Sequence, residues 1–164
     1  NIRGDIMNKT IEIAGFIPAS AADGPGIRSV LFLQGCSHFC PDCHNASFQE
    51  HGQGILYPID KLVNYIVTHC KTRKLTISGG EPMEQLEQLN ELIHLLVEKD
   101  FNLCLYTSYE FQMVPDFILK QIHYLKTGPF LREYINPPKP FVGSNNQKFY
   151  HILRKDGEIC LLEI

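Results

Sequence analysis

Short apolar segments alternate with segments of helical periodicity through residue 127, and this alternation restricts the fold more than any other feature. The helical segments carry apolar residues at steps of three and four, whereas the strand segments are brief and mostly apolar. Such alternation predicts parallel strands joined by right-handed crossovers. We predict strands over Ile27–Leu33, Lys74–Ser78, Asn102–Thr107 and His123–Thr127, and helices over Pro58–Cys70, Pro82 to about Lys99, and Pro115–Ile122.

The length of the chain limits how far this pattern can extend. A complete eight-unit barrel needs about 250 residues, and this chain has 164. We therefore predict an α/β fold that forms a short partial (β/α) barrel with an open, mostly parallel sheet. Near the end of the chain, Phe149–Leu153 and Glu158–Ile164 are predicted to pair as a hairpin. We expect a single domain over residues 7–164, with Met7 as initiator and residues 1–6 as an upstream extension.

The composition is typical of a globular protein, with 44% hydrophobic and 20% charged residues. A net charge of −3 gives no basic surface for nucleic acid. The apolar runs are shorter than the roughly 18 residues that a membrane span needs. The mixed, polar start does not resemble a signal peptide. These features predict a cytoplasmic protein that binds neither nucleic acid nor membrane.

Three cysteines, Cys36, Cys40 and Cys43, form a C-x-x-x-C-x-x-C cluster, and three others are scattered in apolar segments. In a cytosolic protein such a cluster more often binds metal than forms disulfides. Cysteine thiolates hold iron–sulfur clusters, usually four to a cluster. Three would leave one iron open for a substrate to coordinate. The alternative is a zinc site completed by His38 or His44. We interpret Cys70, Cys104 and Cys160 as small buried hydrophobic residues.

Four unusual loops follow the predicted parallel strands: the cysteine loop, Ser78–Pro82, Thr107–Tyr109 and Thr127–Pro129. Ligands of parallel sheets bind at the carboxyl ends of the strands, so we expect these loops to share one rim. In the second loop, Gly79 and Gly80 would let a ligand approach the backbone closely. The turn of residues 23–26 (DGPG), ahead of the first strand, is a candidate wall of the same site.

Together these motifs resemble the radical S-adenosylmethionine (SAM) superfamily. The cysteine cluster is similar to the signature of that superfamily, and residues 23–26 with Cys43-His44-Asn45 resemble activating enzymes of glycyl radical enzymes. Residues 126–130 (KTGPF) and 143–147 (GSNNQ) are similar to the activating proteins of anaerobic ribonucleoside-triphosphate reductase. The resemblance extends from about Ile11 to Leu153.

The resemblance implies two cofactors, a [4Fe-4S] cluster and SAM. Cys36, Cys40 and Cys43 would hold the cluster. An electron donor such as flavodoxin would reduce it, SAM would be cleaved, and the resulting 5′-deoxyadenosyl radical would take a hydrogen atom from a glycine of the partner enzyme. The residues implied as SAM contacts are Asp42, Cys43, His44, Gly79, Gly80, Glu81 and Pro82.

Three positions depart from the family pattern. Glu81 replaces a frequent aspartate, Asp42 stands where many radical SAM enzymes carry an aromatic residue, and Asn145 replaces a serine. With Asp42 in that place, the adenine contact is assigned to backbone or to His44. Tyr106 is either an adenine contact or a packed aromatic, and Lys126 either binds a carboxylate or is solvated. Ser144 and Asn146 either bind ribose or cap a turn.

Other functions remain open at this point. One is activation of a different glycyl radical enzyme of the formate-lyase type, although such activases are usually longer and often carry extra ferredoxin-like cysteines. Another is a small radical SAM enzyme that modifies a peptide or metabolite. A third, from a different class, is a zinc-binding interaction module.

Overall fold

The computed structural model describes residues 9–38, 40–135 and 139–164. The predictions for Met7 and residues 1–6 lie outside the described residues. The described residues form one eight-stranded sheet in the order β3-β1-β2-β4-β5-β6-β7-β8. The strands are β1 Thr10–Ser20, β2 Arg28–Leu33, β3 Ile55–Pro58, β4 Lys74–Gly79, β5 Asn102–Tyr106, β6 Tyr124–Thr127, β7 Lys148–Lys155 and β8 Glu158–Glu163.

The centre of the sheet is parallel and its flanks are antiparallel. Strands β2, β4, β5 and β6 run parallel to one another. On one side β1 pairs antiparallel with β2 and β3, and on the other side β7 pairs antiparallel with β6 and β8. The predicted terminal hairpin is confirmed as β7 and β8, joined across Asp156 and Gly157.

The α/β class is confirmed, but the prediction of a mostly parallel sheet is wrong. Among the described residues, four of the seven strand pairings are antiparallel. The physical reason is that β1 and β3 were not predicted, because neither alternates cleanly between apolar and polar residues. In β1 the pairing register shifts between Ile13 and Gly15 and again between Ile17 and Ser20, and β3 leaves Ile55 and Leu56 exposed.

Helices α1 (Ile59–His69), α2 (Leu86–Val97) and α3 (Asp116–Leu119) provide the crossovers between parallel strands. Their apolar faces share one core with alternate residues of the central strands, such as Leu31 and Ile77. The predicted second helix is shorter than expected. Its first residues, Pro82–Gln85, form a 3₁₀ turn instead. None of the helices in the described residues is long and apolar enough to cross a membrane.

The opposite face of the central strands carries polar and aromatic residues, including Thr76, Cys104 and Tyr106. A buried guanidinium, that of Arg28, lies on this side and donates hydrogen bonds to Thr76 Oγ1 at 3.0 Å and to the carbonyl of Asn102 at 2.9 Å. It also donates to the carbonyl of Pro25 at 3.1 Å. Arg28 therefore fixes the turn of residues 23–26 against β4 and β5.

The three scattered cysteines do not share one environment. Cys70 and Cys104 are buried, as predicted, but Cys160 on the edge strand β8 is exposed. The prediction of burial is wrong for Cys160 because β8 has no neighbouring strand on its outer side among the described residues.

Candidate functional site

A cavity of about 380 Å³ lies at the carboxyl ends of the four parallel strands. This volume falls within the range of small-molecule sites. The prediction that four loops share one rim is confirmed for the first three, whereas the fourth, Thr127–Pro129, reaches the cavity only through its flanking residues Lys126 and Phe130. The lining includes Cys36, Cys40, Cys43, His44 and Asn45 after β2, Ser78, Gly79 and Gly80 at β4, Tyr106, Thr107 and Ser108 at β5, and Lys126 and Phe130 at β6. Asp23 adds the predicted wall from the turn before β2.

The three clustered cysteines all line this cavity. Cys36 is buried, and Cys40 and Cys43 are partly exposed. The backbone N–H of Cys36 donates to the carbonyl of Gln49 at 2.8 Å, which fixes the start of the loop. The backbone N–H of Cys43 donates to the carbonyl of Cys40 at 3.3 Å, so these two residues lie on one turn. All six cysteines lie in the described part of the chain, and none forms a disulfide there.

The three clustered thiols share one cavity, which a common metal or cluster site requires. Within the described residues, no group of three or more His, Cys, Asp or Glu side chains is arranged to hold one metal ion. A tetrahedral zinc ion needs its sulfur ligands to converge at about 2.3 Å. In a cluster, by contrast, each cysteine binds a different iron, so the three sulfurs are spread over a larger volume. The position of all three cysteines in one cavity lining is compatible with either kind of site.

The two histidines of the zinc alternative make contacts of their own. The ring of His38 meets the ring of Tyr109 edge-on, with centroids 5.1 Å apart. The ring of His44 packs on Phe130 at the same centroid distance. Each histidine therefore joins the cysteine loop to another loop of the rim, His38 to the loop after β5 and His44 to the loop after β6.

The turn after β4 needs glycine at positions 79 and 80, because its backbone packs directly against the backbone that follows β2. Gly79 has a φ of +118°, and a Cβ there would lie 2.2 Å from the carbonyl oxygen of Leu33. A Cβ on Gly80 would lie 2.3 Å from the carbonyl oxygen of Gly35. The amide of Asn45 donates to the carbonyl of Gly79 at 2.9 Å. The tight turn was predicted to admit a ligand, and it also joins β4 to the cysteine loop.

Glu81 and Pro82 are buried beside the cavity but do not line it. The Glu81 carboxylate accepts hydrogen bonds from Thr107 Oγ1 and the backbone N–H of Ser108, both at 2.7 Å, and from the backbone N–H of Met83 at 3.0 Å. Burial raises the pKa of the Glu81 carboxyl above its usual range, and these three donors oppose that shift. Glu81 therefore joins the loop after β4 to the loop after β5.

Asp42 is exposed and likewise does not line the cavity. Its φ of +55° places it in the left-handed region. Its carboxylate pairs with the guanidinium of Arg132 at 2.6 Å, linking the cysteine loop to the segment after β6. Of the residues predicted to contact SAM, the structure brings Cys43, His44, Gly79 and Gly80 to the cavity. Asp42, Glu81 and Pro82 are not part of the cavity lining.

Two cavity residues, Tyr106 and Lys126, were left undecided by the sequence. They occupy paired positions on adjacent parallel strands, which places both on the same face of the sheet. The Lys126 ammonium lies 3.9 Å from the centre of the Tyr106 ring, and burial lowers the pKa of Lys126 to about 8. The buried Tyr106 hydroxyl has no hydrogen-bond partner among the described residues. The cavity thus offers a cation and an unused hydroxyl, which only the structural register of β5 and β6 brings together.

The segment 143–147 packs against the loop after β6. Gln147 donates from its amide nitrogen to the carbonyl of Gly128 at 2.9 Å, and its amide oxygen accepts from the backbone N–H of Gly143 at 2.8 Å. The hydroxyl of Ser144 accepts from the backbone N–H of Leu131 at 3.1 Å. Ser144 therefore anchors a turn, as one of its two interpretations held, while Gly143 and Gln147 also line the cavity.

Comparison with known proteins identifies the family. The model of a 4Fe-4S single cluster domain matches residues 22–150. An anaerobic ribonucleoside-triphosphate reductase-activating protein of Vibrio cholerae is 32% identical over 143 residues, which covers 80% of this chain and 92% of that protein. The chain belongs to this activating-protein family. A family member from Escherichia coli (strain K12) is 26% identical over 148 residues, 84% of this chain and 96% of its own.

The matched 4Fe-4S single cluster domain contains every residue that lines the cavity. Its matched residues 22–150 include the three clustered cysteines, the turn after β4 and the segment 143–147. A pyruvate formate-lyase-activating enzyme of Staphylococcus aureus (strain USA300) is also similar, with 36% identity over 94 residues. That match covers 52% of this chain and 37% of the longer enzyme.

Proposed function

We propose that this chain is a radical SAM activase that generates a glycyl radical on a partner enzyme, an anaerobic ribonucleoside-triphosphate reductase. Cys36, Cys40 and Cys43 would hold a [4Fe-4S] cluster, and residues 7–164 would form one radical SAM domain. When bound, the cluster would supply the electron that splits SAM into methionine and a 5′-deoxyadenosyl radical, which takes a hydrogen atom from a glycine Cα. The observation that carries the proposal is the single cavity shared by three thiols and the Gly79–Gly80 turn.

The polar groups of the cavity suit the amino acid end of SAM. The Lys126 ammonium on the floor would attract a carboxylate, since no carboxylate side chain pairs with it among the described residues. The backbone at Gly79 and Gly80 lies in the wall beside the cysteine loop. We propose direct SAM contacts from Cys43, His44, Gly79 and Gly80. The other predicted residues, Asp42, Glu81 and Pro82, would act by holding the rim loops in place.

The aromatic lining of the cavity suits the adenosine end of SAM. Phe130, partly exposed after β6, and Phe141, on the connection to β7, both line the cavity. Their ring faces offer stacking surfaces for a nucleobase. We propose that the central strands curve as a partial (β/α) barrel around this ligand, and that a flavodoxin-type donor supplies electrons in an anaerobic cytoplasm.

A second candidate differs only in the partner. The similarity to a pyruvate formate-lyase-activating enzyme favours activation of a formate-lyase-type glycyl radical enzyme. The chemistry at the cavity would be the same. The partner is decided by mixing the reconstituted chain with each candidate enzyme and measuring the glycyl radical by electron paramagnetic resonance.

Anaerobic reconstitution tests the proposal itself. We expect a brown protein with about four irons per chain, bleached by dithionite and able to form 5′-deoxyadenosine from SAM. Cys40→Ala should lose the iron, whereas Cys160→Ala, which alters an exposed thiol on β8, should retain it. A colourless zinc protein that forms no 5′-deoxyadenosine would support the interaction module instead. Equal iron in Cys40→Ala and the parent would contradict the ligand assignment.

A further inference from the structure

A carboxylate outside the predicted site holds the cysteine loop between its first two cysteines. Glu84 Oε2 accepts a hydrogen bond from the backbone N–H of Ser37 at 2.9 Å, and Oε1 lies 3.3 Å from the same nitrogen. The Ser37 hydroxyl donates a further, short hydrogen bond to Oε1. Both donors of Ser37 are thus used by one side chain, and Ser37 directly follows Cys36.

Glu84 is placed for this contact by the turn after β4. It lies on the 3₁₀ turn Pro82–Gln85, which begins directly after Glu81. Its side chain is only 16% exposed, and its titratable neighbours include Tyr109 and His51, whose Nε2 lies 3.7 Å from Oε2. An exposed glutamate would gain little from such a contact, whereas this one is largely shielded from water.

We propose that Glu84 is a positioning residue that orients the segment from Cys36 to Cys40 and, through its negative charge, lowers the reduction potential of the cluster. The inference rests on the proposed function, because it needs a cluster on these cysteines. Groups around a metal site orient its ligands and tune its electronics. Cluster potentials respond to nearby charge and to hydrogen bonds at the sulfurs.

The charge of Glu84 opposes the addition of an electron nearby. The hydrogen bonds place the Glu84 carboxylate against Ser37, which adjoins Cys36, and consecutive Cα atoms are about 3.8 Å apart. A unit charge on the order of 10 Å from the cluster, at an effective dielectric constant of about 20, changes the one-electron equilibrium by about tenfold. A tenfold change in a one-electron couple corresponds to 59 mV. A lower potential makes the reduced cluster a stronger donor.

Glu84→Gln removes the negative charge but keeps a hydrogen bond, because the amide oxygen of glutamine can still accept from the N–H of Ser37. The matched control is Glu87→Gln, which removes a carboxylate that is 74% exposed and pairs with Lys9. The measurement is an anaerobic redox titration of the reconstituted chain followed by electron paramagnetic resonance, without SAM or partner. We expect Glu84→Gln to favour the reduced cluster about tenfold, with Glu87→Gln matching the parent.

Glu84→Ala tests positioning, because it removes the acceptor as well as the charge. We expect the amides of residues 36–38 to exchange hydrogen faster in the metal-free chain, and the loaded chain to lose iron faster to a chelator. Unchanged exchange and iron loss would overturn the positioning role. A Glu84→Gln potential equal to that of the parent would overturn the effect of charge. A parent chain that binds no cluster would instead overturn the proposed function and leave the exchange result standing.

Discussion

Replacing Lys126 with methionine is expected to stabilise the metal-free chain while weakening its binding of SAM. Burial lowers the pKa of Lys126 from 10.5 to about 8. At about 1.4 kcal/mol per pH unit, this costs the folded state about 3 kcal/mol below pH 8. We therefore expect Lys126→Met to raise the free energy of unfolding at pH 7 by up to about 3 kcal/mol.

The free energy of unfolding of the parent depends on pH because the folded and unfolded chains lose the Lys126 proton at different pH values. Between about pH 8 and 10.5 the folded parent has released the Lys126 proton while the unfolded chain still holds it. The unfolded state then binds more protons, so the parent gains stability as the pH rises. The advantage of Lys126→Met must shrink over this interval.

Urea denaturation followed by circular dichroism, at pH 7 and at about pH 9.5, measures both effects. Lys120→Met is the control, because Lys120 is exposed and surface substitutions usually change stability by less than about 0.5 kcal/mol. SAM binding is measured separately on the reconstituted chain by calorimetry. The reasoning is refuted if Lys126→Met is less stable than the parent at pH 7, or if the difference between them is the same at both pH values.

Three further substitutions test the contacts around the cavity. Arg28→Met should lower the free energy of unfolding by about 3 kcal/mol or more, measured by urea denaturation, because it removes the buried hydrogen bonds that fix the turn before β2. Gly80→Ala should lower both stability and iron content, because the new Cβ would meet the carbonyl of Gly35, whereas Gly15→Ala, with open space around it, should retain the iron of the parent. Glu81→Gln should cost about 2–4 kcal/mol in the same denaturation assay, because either orientation of the amide points its NH₂ at a backbone N–H. A change under 0.5 kcal/mol would contradict the last prediction.

The central strands were predictable because their sequences are short, apolar and bounded by clear turn signals. Each predicted parallel strand differs from the observed strand by one residue at one end. The cysteine spacing and the strand order together predicted that the site lies at the carboxyl ends of the parallel strands. Strand β1 was missed because its inserted residues break the period of two, and β3 because two of its four residues are exposed and apolar.

Side-chain direction explains what the sequence did not reveal about the site. The sequence indicated that Glu81 follows a strand at the rim, but not that its carboxylate turns toward Ser108. In the same way, Lys126 at a strand end is an ordinary solvated residue unless its register partner, Tyr106, is known. These side-chain directions depend on pairings between segments far apart in the sequence. Composition and local periodicity do not reveal such pairings.

The contacts of the cysteine loop also bear on when the cofactor can be inserted. Side-chain contacts to the loop come from Glu84, Tyr109, Phe130 and Arg132, all of which follow it in the chain. Arg132 lies 90 residues beyond its partner in the loop. At about 5–20 residues per second, a ribosome needs roughly 5–18 seconds to make that stretch. During this interval the newly made thiols are present without the walls that later enclose them. Insertion of a cofactor into the complete cavity would therefore follow the synthesis of Arg132.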